Sequence, residues 1–178
     1  MLDQFKLALS IRISRNVALL RMVNLSVLLR VAVILAAVAI AQPAAADSIR
    51  VIDGDGLEVN GVKVRLWGID APELHQECSK AGQVYPCGQM ARNALTAFLG
   101  ASTPLCKTIN QDRYGRTVAR CEVWGNDLAA RMVESGWALD WPRYSKSEYA
   151  DEQAKAERDG LGLWQGFFAA PWEWRKEN

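Results

Sequence analysis

Four acidic residues that flank two turns, together with one arginine, lie close together in the stretch VIDGDGLEVNGVKVRLWGIDAPE, from residue 51 to residue 73. The five are Asp53, Asp55, Arg65, Asp70 and Glu73. Carboxylates are the ligands that a hard divalent cation such as Ca²⁺ prefers, and an arginine can grip two oxygens of one phosphate. The stretch therefore predicts a cation-assisted phosphate site. The structural alternative is that DGDG forms only a hairpin turn and that Asp-Ala-Pro-Glu only ends a strand.

A second group of polar residues follows at Asp112-Arg113-Tyr114-Gly115-Arg116. Arg116 begins a predicted strand, and a rigid element can hold a catalytic side chain in place. A turn alone would explain Asp112 at its first position and Gly115 at its last. It would not explain two arginines and a tyrosine in the same turn. These three residues are therefore candidates for phosphate contacts, with solvated surface charge as the alternative.

Both groups must be positioned by short strands. Loose alternation over 48–59 and clearer alternation over 62–69 predict two strands, and Asn60-Gly61 between them is a strong hairpin signal. Further strands are predicted over 104–109 and 117–124. Helices are predicted over 88–99, 128–135 and 147–159, each followed by a glycine, and 74–86 is expected to be a surface loop. Short strands with few helices indicate an α+β fold, a small β-barrel carrying three α-helices.

The N-terminal 46 residues have the composition of a secretory signal peptide. Five basic residues and one acidic residue within 1–30 precede an apolar run over 31–41 and a small-residue site that ends at Ala46. Met22 would begin a signal of more ordinary length, and cleavage after Ala41 is the rival to cleavage after Ala46. An uncleaved anchor is the alternative, although the apolar run is about half the length that spans a bilayer. The sequence thus predicts an exported domain over 47–178, periplasmic or secreted.

Charge limits how this domain could bind a polyanion. Without residues 1–46, the 21 basic and 20 acidic residues become 16 and 19, a formal net charge of −3. A globally basic nucleic-acid coat is therefore excluded, and phosphate binding must depend on local arginines and a cation.

The four cysteines all follow the predicted signal. An even number in an exported domain favours disulfides, with three possible pairings. Cys106 and Cys121 are equidistant from the turn at Arg113-Tyr114, so a hairpin would place them opposite each other, which leaves Cys78 with Cys87. A zinc site is disfavoured, because the chain has one histidine and no Cys-x-x-Cys pair.

Three motifs together resemble the thermonuclease (staphylococcal nuclease-like) family. They are Asp53-Gly-Asp, Arg65-Leu-x-Gly-Ile-Asp-Ala-Pro-Glu73 and Asp112-Arg-Tyr-Gly-Arg116, and the resemblance spans roughly residues 49–165 in the same order and spacing. It implies an OB-fold five-stranded β-barrel with three α-helices, which agrees with the α+β fold expected from the residues. One position departs from the family pattern, which usually has threonine where this chain has Gly56. We expect that loss to weaken Ca²⁺ binding without abolishing the chemistry.

The resemblance also implies roles for individual residues. Asp55 and Asp70 would be the carboxylate ligands of Ca²⁺, with the backbone carbonyl of Ala71 beside them. Arg65 and Arg116 would grip the scissile phosphate, and Glu73 would activate the attacking water. Further candidates for holding the phosphate or stacking a base are Arg113, Tyr114, Trp141 and Tyr144. For Trp141 and Tyr144, plain packing against the barrel is an equal alternative.

The function expected from these residues is Ca²⁺-dependent cleavage of single-stranded DNA and RNA to 3′-phosphate products. The domain is expected to be exported and monomeric, without a lasting membrane anchor. Two other functions stay open. One is a catalytically silent OB-fold module that binds nucleic acid or another polyanion. The other is a cell-envelope role on a different phosphodiester or a polysaccharide, because one fold can serve many ligands.

Overall fold

The computed structural model describes residues 47–178. The predicted signal peptide and the alternative start at Met22 lie outside the described residues. The strands are β1 (Ile49–Val51), β2 (Gly56–Val59), β3 (Val62–Leu66), β4 (Ile69–Asp70), β5 (Cys78–Lys80), β6 (Gln83–Tyr85), β7 (Leu105–Gln111), β8 (Thr117–Val123), β9 (Asn126–Asp127) and β10 (Leu139–Asp140). The helices are α1 (Cys87–Leu99), α2 (Leu128–Glu134), α3 (Pro142–Ser145), α4 (Ala150–Arg158) and α5 (Pro171–Glu177), with a 3₁₀ turn at Gly162–Gln165.

The main sheet brings the two polar stretches of the sequence side by side. Its strand order is β1-β2-β3-β8-β7, with β9 added to β8. The predicted hairpin joins β2 to β3, and its turn residues Asn60 and Gly61 have φ of 52° and 81°. Strand β3 then pairs in parallel with β8, and Arg65 is opposite Val118. This non-local pairing places the strand of Arg65 next to the strand that Arg116 precedes.

The sheet is open rather than closed into the expected five-stranded barrel. Within residues 47–178, the five-strand path ends at β1 and β7, which are not hydrogen-bonded to each other. Strand β1 has only three residues, all paired with β2, and six of the seven residues of β7 are exposed. Strands β4 and β10 form a separate antiparallel pair, as do β5 and β6. The α+β class is confirmed, and closure of the barrel is the part that differs.

Helices α1, α2 and α4 are found at the three predicted positions. Asp127 is the N-cap of α2, because its Oδ1 accepts hydrogen bonds from the amides of Ala129 (2.7 Å) and Ala130 (3.3 Å). Gly136 follows α2 with a φ of 74°, the left-handed conformation that glycine adopts at low cost. No helix within residues 47–178 combines the length and the apolar character needed to cross a bilayer.

Several elements were not predicted. The expected loop over 74–86 contains the β5–β6 hairpin, which lacks an extended apolar alternation. Helix α3 has only four residues, too short for a periodic signal. Helix α5 lies in the C-terminal tail, where no element was predicted.

The core lies between the main sheet and helices α1 and α2. Its largest fully buried side chains include Leu57, Leu66, Leu95, Leu128 and Met132. Burial of one such side chain is worth about 1.5–3 kcal/mol. A smaller apolar cluster around Leu139 and Leu163 contains the Cys78–Cys87 disulfide. The second predicted disulfide, Cys106–Cys121, joins directly opposed residues of β7 and β8.

Candidate active site

The turn that carries Asp55 is fixed by close packing. Gly54 lies against Ala71 and helix α1, and a Cβ on it would be 2.6 Å from the Cβ of Ala71 and 2.8 Å from that of Ala91. The backbone carbonyl of Asp55 accepts a hydrogen bond from the amide of Leu66 on β3 (2.8 Å). Glycine is therefore required at position 54. Packing and this hydrogen bond fix the DGDG turn so that Asp55 is directed into the interior.

Gly56 leaves space that another side chain uses. A Cβ at this position would be 2.7 Å from Oδ1 of Asp53, and that same oxygen accepts a hydrogen bond from the amide of Asp55 (3.1 Å). A threonine here would have to displace the carboxylate of Asp53. The carboxylate of Asp53 thus occupies the space that the threonine of the family pattern would need.

Asp55 and Asp70 converge on one guanidinium. The side chain of Asp70 is 0% exposed, and Nη2 of Arg65 lies 2.6 Å from Oδ1 of Asp70 and 2.9 Å from Oδ2 of Asp55. The amide of Ala71 also donates to Oδ2 of Asp55 (3.2 Å). Two carboxylates, one in the turn before β2 and one at the end of β4, therefore meet within reach of a single positive charge.

Burial controls the ionisation of this pair. Desolvation raises the pKa of the Asp55 carboxyl well above its ordinary value, and the charge of Arg65 opposes that rise. Burial lowers the pKa of the Arg65 guanidinium, but the neighbouring Asp55 and Asp70 outweigh it and raise that pKa. Such a buried group of charges is stable only when the charges are paired, and removing one partner is costly.

Glu73 lies at the edge of the same cluster, on a loop that the structure holds closely. Its carbonyl accepts a hydrogen bond from the amide of Gln76 (2.8 Å), and its amide donates to Oε1 of Gln76 (3.3 Å). Gln76 is fully buried. A Cβ on Gly88, in the first turn of α1, would overlap the carbonyl oxygen of Glu73 at 1.8 Å. The loop therefore depends on glycine at position 88 for its contact with α1.

Arg175 is a site residue that the sequence did not indicate. It belongs to helix α5, and its Nη2 lies 2.6 Å from Oδ2 of Asp70. Its Nη1 lies 3.1 Å from Oδ1 of Asp70 and 2.6 Å from Oε1 of Glu73. Burial lowers the pKa of the Arg175 guanidinium, but its hydrogen bonds to Asp70 and Glu73 outweigh that effect and raise it. One guanidinium thus bridges the predicted cation ligand and the predicted base.

The C-terminal tail, residues 167–178, holds Arg175 at the site through several contacts. Phe167 exchanges backbone hydrogen bonds with Ser79 of β5 (2.7 and 2.9 Å), and the carbonyl of Ala169 accepts a hydrogen bond from Nε2 of Gln76 (2.7 Å). Trp172 is stacked on Trp141, with ring centroids 5.9 Å apart.

Pro171 at the start of α5 is a sequence signal for the start of a helix. No sequence signal indicates that this helix docks against residues about 100 positions earlier in the chain.

The second polar stretch forms a separate group. Nε of Arg116 lies 2.7 Å from Oδ2 of Asp112, whose Oδ1 accepts the amides of Tyr114 and Arg116 (2.9 Å each). The guanidiniums of Arg113 and Arg116 lie 4.7 and 5.6 Å from the centroid of the Tyr114 ring. Among the described residues, no ion pair joins this group to Asp55, Asp70 or Glu73. The turn is therefore both structural and a source of positive charge at the surface.

Trp141 lies behind the two arginines of the cluster. The guanidiniums of Arg65 and Arg175 are each 5.7 Å from its ring centroid, a distance at which a cation is attracted to an aromatic face. Tyr144 meets it edge to face, with centroids 4.6 Å apart. Trp141 therefore supports the arginines from within the protein, whereas Tyr144 is 50% exposed and faces solvent. Base stacking by either residue stays a prediction.

The oxygen atoms at this site suit a hard cation, but the protein supplies few of them. Asp55 and Asp70 supply carboxylate oxygens directed at one point, and Ala71 adds a backbone carbonyl nearby in sequence, the oxygen chemistry that Ca²⁺ prefers. Within residues 47–178, no three acidic, histidine or cysteine side chains form a ready-made metal centre. A cation here would keep several water ligands, and it would have to share Asp70 with Arg65 and Arg175.

Comparison with known proteins identifies relatives of this chain. The model of a family described as "Staphylococcal nuclease homologue" matches residues 63–166. The succinoglycan biosynthesis protein ExoI of Rhizobium meliloti is 42% identical over 118 residues, which is 65% of this chain and 62% of that protein. A probable endonuclease LCL3 of Uncinocarpus reesii is 33% identical over 119 residues, 59% of this chain and 38% of that protein.

A plant relative extends the range of similar proteins. The probable staphylococcal-like nuclease CAN1 of Oryza sativa is 29% identical over 127 residues, 70% of this chain and 36% of that protein. The chain thus spans less than two thirds of the length of each of these relatives. Asp55 and Arg175 both lie outside residues 63–166 that the family model matches.

Proposed function

Because the chain belongs to the staphylococcal nuclease homologue family, we propose that it is an exported, Ca²⁺-dependent endonuclease. Its substrates are single-stranded DNA and RNA, and its products carry a 3′-phosphate. The observation that supports this most directly is the meeting of Asp55, Asp70 and Arg65 within hydrogen-bond distance, with Glu73 at the edge of the same cluster through Arg175. Cation ligands, a phosphate-binding guanidinium and a base are thereby available in one place.

The proposed reaction is hydrolysis of the bond between phosphorus and the 5′ oxygen. Water attacks phosphorus and gives a proton to the carboxylate of Glu73, while the bond between phosphorus and the 5′ oxygen breaks and the 5′ oxygen takes a proton from solvent water to become a hydroxyl. Negative charge grows on the equatorial phosphate oxygens during this step. Arg65 and Arg116 oppose that charge, and groups that bind the transition state better than the ground state raise the rate.

The cation would be held by Asp55, Asp70 and the carbonyl of Ala71. When bound, it supplies Lewis-acid stabilisation of the phosphate charge. Glu73 is the remaining carboxylate of the cluster that is partly open to solvent, with 33% of its side chain exposed. That exposure suits a group that must meet a water molecule.

Arg116 has guanidinium nitrogens available for a phosphate. Its Nε is engaged by Asp112, and the terminal nitrogens of its guanidinium have no ion pair among the described residues. A phosphate could therefore bind at those nitrogens while Asp112 continues to orient the side chain. Arg113, Tyr114 and Tyr144 are the proposed contacts for the neighbouring nucleotides.

A second candidate function is action on a phosphodiester other than nucleic acid. It is favoured by the 42% identity to a protein named for succinoglycan biosynthesis. The same carboxylates and arginines would serve, because they recognise the phosphate group and not the base. A nucleobase-free phosphodiester such as bis(4-nitrophenyl) phosphate tests this, and cleavage of that compound with no cleavage of single-stranded DNA would favour this second candidate.

The main test is cleavage of labelled single-stranded DNA and RNA by protein produced under oxidising conditions, with Ca²⁺, Mg²⁺ or chelator. We expect cleavage with Ca²⁺ alone and 3′-phosphate ends on the products. Glu73→Gln should lower kcat by about 10²- to 10⁴-fold, because the water loses its base. Arg116→Ala should lower it by about 10²- to 10³-fold, because one source of phosphate stabilisation is lost.

Glu77→Gln is the matched control for Glu73→Gln. Glu77 is an exposed residue of the same loop, and it makes no ion pair among the described residues, so its variant should cleave at the wild-type rate. Circular dichroism should show that each variant is folded. Folded wild-type protein that binds the DNA strand and never cuts it would favour the catalytically silent module instead.

A further inference from the structure

Both carboxylate oxygens of Asp70 are hydrogen-bonded to a guanidinium. Oδ1 accepts hydrogen bonds from Arg65 and Arg175, and Oδ2 accepts one from Arg175. The side chain is 0% exposed, so bulk water does not solvate it. Arg175 therefore completes the set of hydrogen bonds to this carboxylate.

The charges of the cluster show why a second guanidinium is needed. Asp55, Asp70 and Glu73 carry three negative charges when ionised, and Arg65 carries one positive charge. Buried charges without a counter-charge are strongly disfavoured. Arg175 reduces the excess from two negative charges to one, and it does so at the two residues that Arg65 does not fully satisfy.

We propose that Arg175 is the resident counter-cation of this site and that a divalent cation competes with it for Asp70. The inference rests on the cation site of the proposed function. A cation that binds either oxygen of Asp70 must compete with a hydrogen bond from Arg175, because Arg175 donates to both oxygens. Arg175 thus stabilises the site while it is empty and weakens its affinity for the cation.

The position of Arg175 on the tail makes this competition specific. The neighbouring Lys176 has a side chain of the same charge, but it pairs with Glu173 on the same helix (2.8 Å) and not with the cluster. Replacing either residue removes one positive charge from α5. Only replacement of Arg175 removes a contact to Asp70, so Lys176→Gln separates the contact from the general charge of the helix.

The test is Ca²⁺ binding by isothermal titration calorimetry in the absence of nucleic acid. Arg175→Gln should bind Ca²⁺ about 10-fold more tightly than wild type, or tighter still, because a charged hydrogen-bonded competitor has been removed. Arg175→Lys should fall between the two, since it keeps the charge and loses the bidentate contact. Lys176→Gln should bind as wild type does.

Thermal unfolding supplies a second measurement that does not depend on catalysis. Without Ca²⁺, Arg175→Gln should have a lower Tm than wild type, because Asp70 loses one of its two guanidinium partners. Saturating Ca²⁺ should then raise the Tm of Arg175→Gln more than that of wild type, since a ligand that binds the native state more tightly stabilises it more.

Two results would overturn the inference, and they differ in what else they overturn. If wild type binds Ca²⁺ and Arg175→Gln binds it equally or more weakly, Arg175 does not compete with the cation, and the proposed nuclease site is unaffected. If neither folded protein binds Ca²⁺ at millimolar concentration, the inference and the proposed cofactor both fail.

Discussion

At the scale of single residues, the site combines side chains whose charges depend on each other. Asp55 and Asp70 are buried and share the guanidinium of Arg65, while Arg175 reaches Asp70 from another part of the chain. None of these charges has a stable place in the interior without the others. A substitution at any one of them is therefore expected to change stability as well as activity, and activity assays alone will not separate the two effects.

Asp112 offers a cleaner measurement of one ion pair. Desolvation raises the pKa of its carboxyl, but hydrogen bonds and the charge of Arg116, with the amide of Tyr114, outweigh it and hold that pKa below the ordinary 3.8. A lowered folded-state pKa stabilises the protein above the unfolded-state pKa, and this stabilisation is lost as the pH falls through the folded-state pKa. Asp112→Asn should thus lower the free energy of unfolding at pH 7 by about 1 kcal/mol.

The same pH dependence supplies the control for Asp112→Asn. The difference between variant and wild type should stay constant from pH 7 to pH 5, and it should shrink as the pH falls below 3.8. Urea unfolding at pH 7, 5 and 3 measures it. A difference that is unchanged at pH 3 would mean that the turn geometry, and not the charge of Asp112, accounts for the loss.

At the scale of elements, the tail helix α5 matters more than its seven residues suggest. A helix of this length is not stable alone in water, so α5 depends on its contacts with the domain. Those contacts are buried Pro171, the stacking of Trp172 on Trp141, and Arg175 at the carboxylates. The aromatic stack and the ion pairs thus support each other.

Trp172→Ala tests that dependence while leaving every charge in place. Loss of an aromatic pair is worth about 1 kcal/mol, so the tail should open about fivefold more often and Arg175 should hold Asp70 less firmly. Ca²⁺ affinity should rise by up to about fivefold, and trypsin should cut after Arg175 or Lys176 faster than in wild type. Trp124→Ala is the control, because Trp124 is 87% exposed at a distant turn. Equal Ca²⁺ affinity in Trp172→Ala and wild type would show that the stack does not position Arg175.

The strands that hold the predicted site could be predicted from the sequence because their signals are local. The docking of the tail could not, because it depends on contacts between residues far apart in the chain. Alternation and the Asn60-Gly61 turn are local signals, so they predicted the strands around Arg65. The choice of Asp55 and Asp70 as the pair of cation ligands came only with the resemblance to a family, and the structure brings the two side chains to the same guanidinium. Arg175 contacts Asp70 across 105 positions of sequence, and no local pattern encodes such a distance. The open edge of the sheet likewise depends on pairing between distant strands.

At the scale of the whole molecule, the two disulfides have different tasks. Cys106–Cys121 joins two neighbouring strands that already share a ladder. Cys78–Cys87 joins β5 to the start of α1, next to the loop that carries Glu73. Both close short loops, with separations of 15 and 9 residues, and loops of this size predict a stabilisation of about 3 kcal/mol each.

Paired alanine variants should therefore have similar stabilities and different activities. Cys106→Ala with Cys121→Ala should lose about 3 kcal/mol in urea unfolding and keep the wild-type kcat on single-stranded DNA at a temperature where it stays folded. Cys78→Ala with Cys87→Ala should lose a similar amount and also lose kcat, because the Glu73 loop is released. Equal kcat in both double variants would show that this bridge does not position Glu73.

The tail also has a consequence for how proteins of this kind are delimited and grouped. A fragment cut at residues 63 and 166, where the family model begins and ends, would keep Arg65, Asp70, Glu73 and Arg116. It would lack Asp55 on one side and Arg175 on the other. Percentage identity within those boundaries says nothing about whether a relative possesses the tail arginine. Sorting relatives by the presence of an arginine at the position of Arg175 would instead divide them by the charge of their carboxylate cluster, and thus by the cation affinity expected of each group.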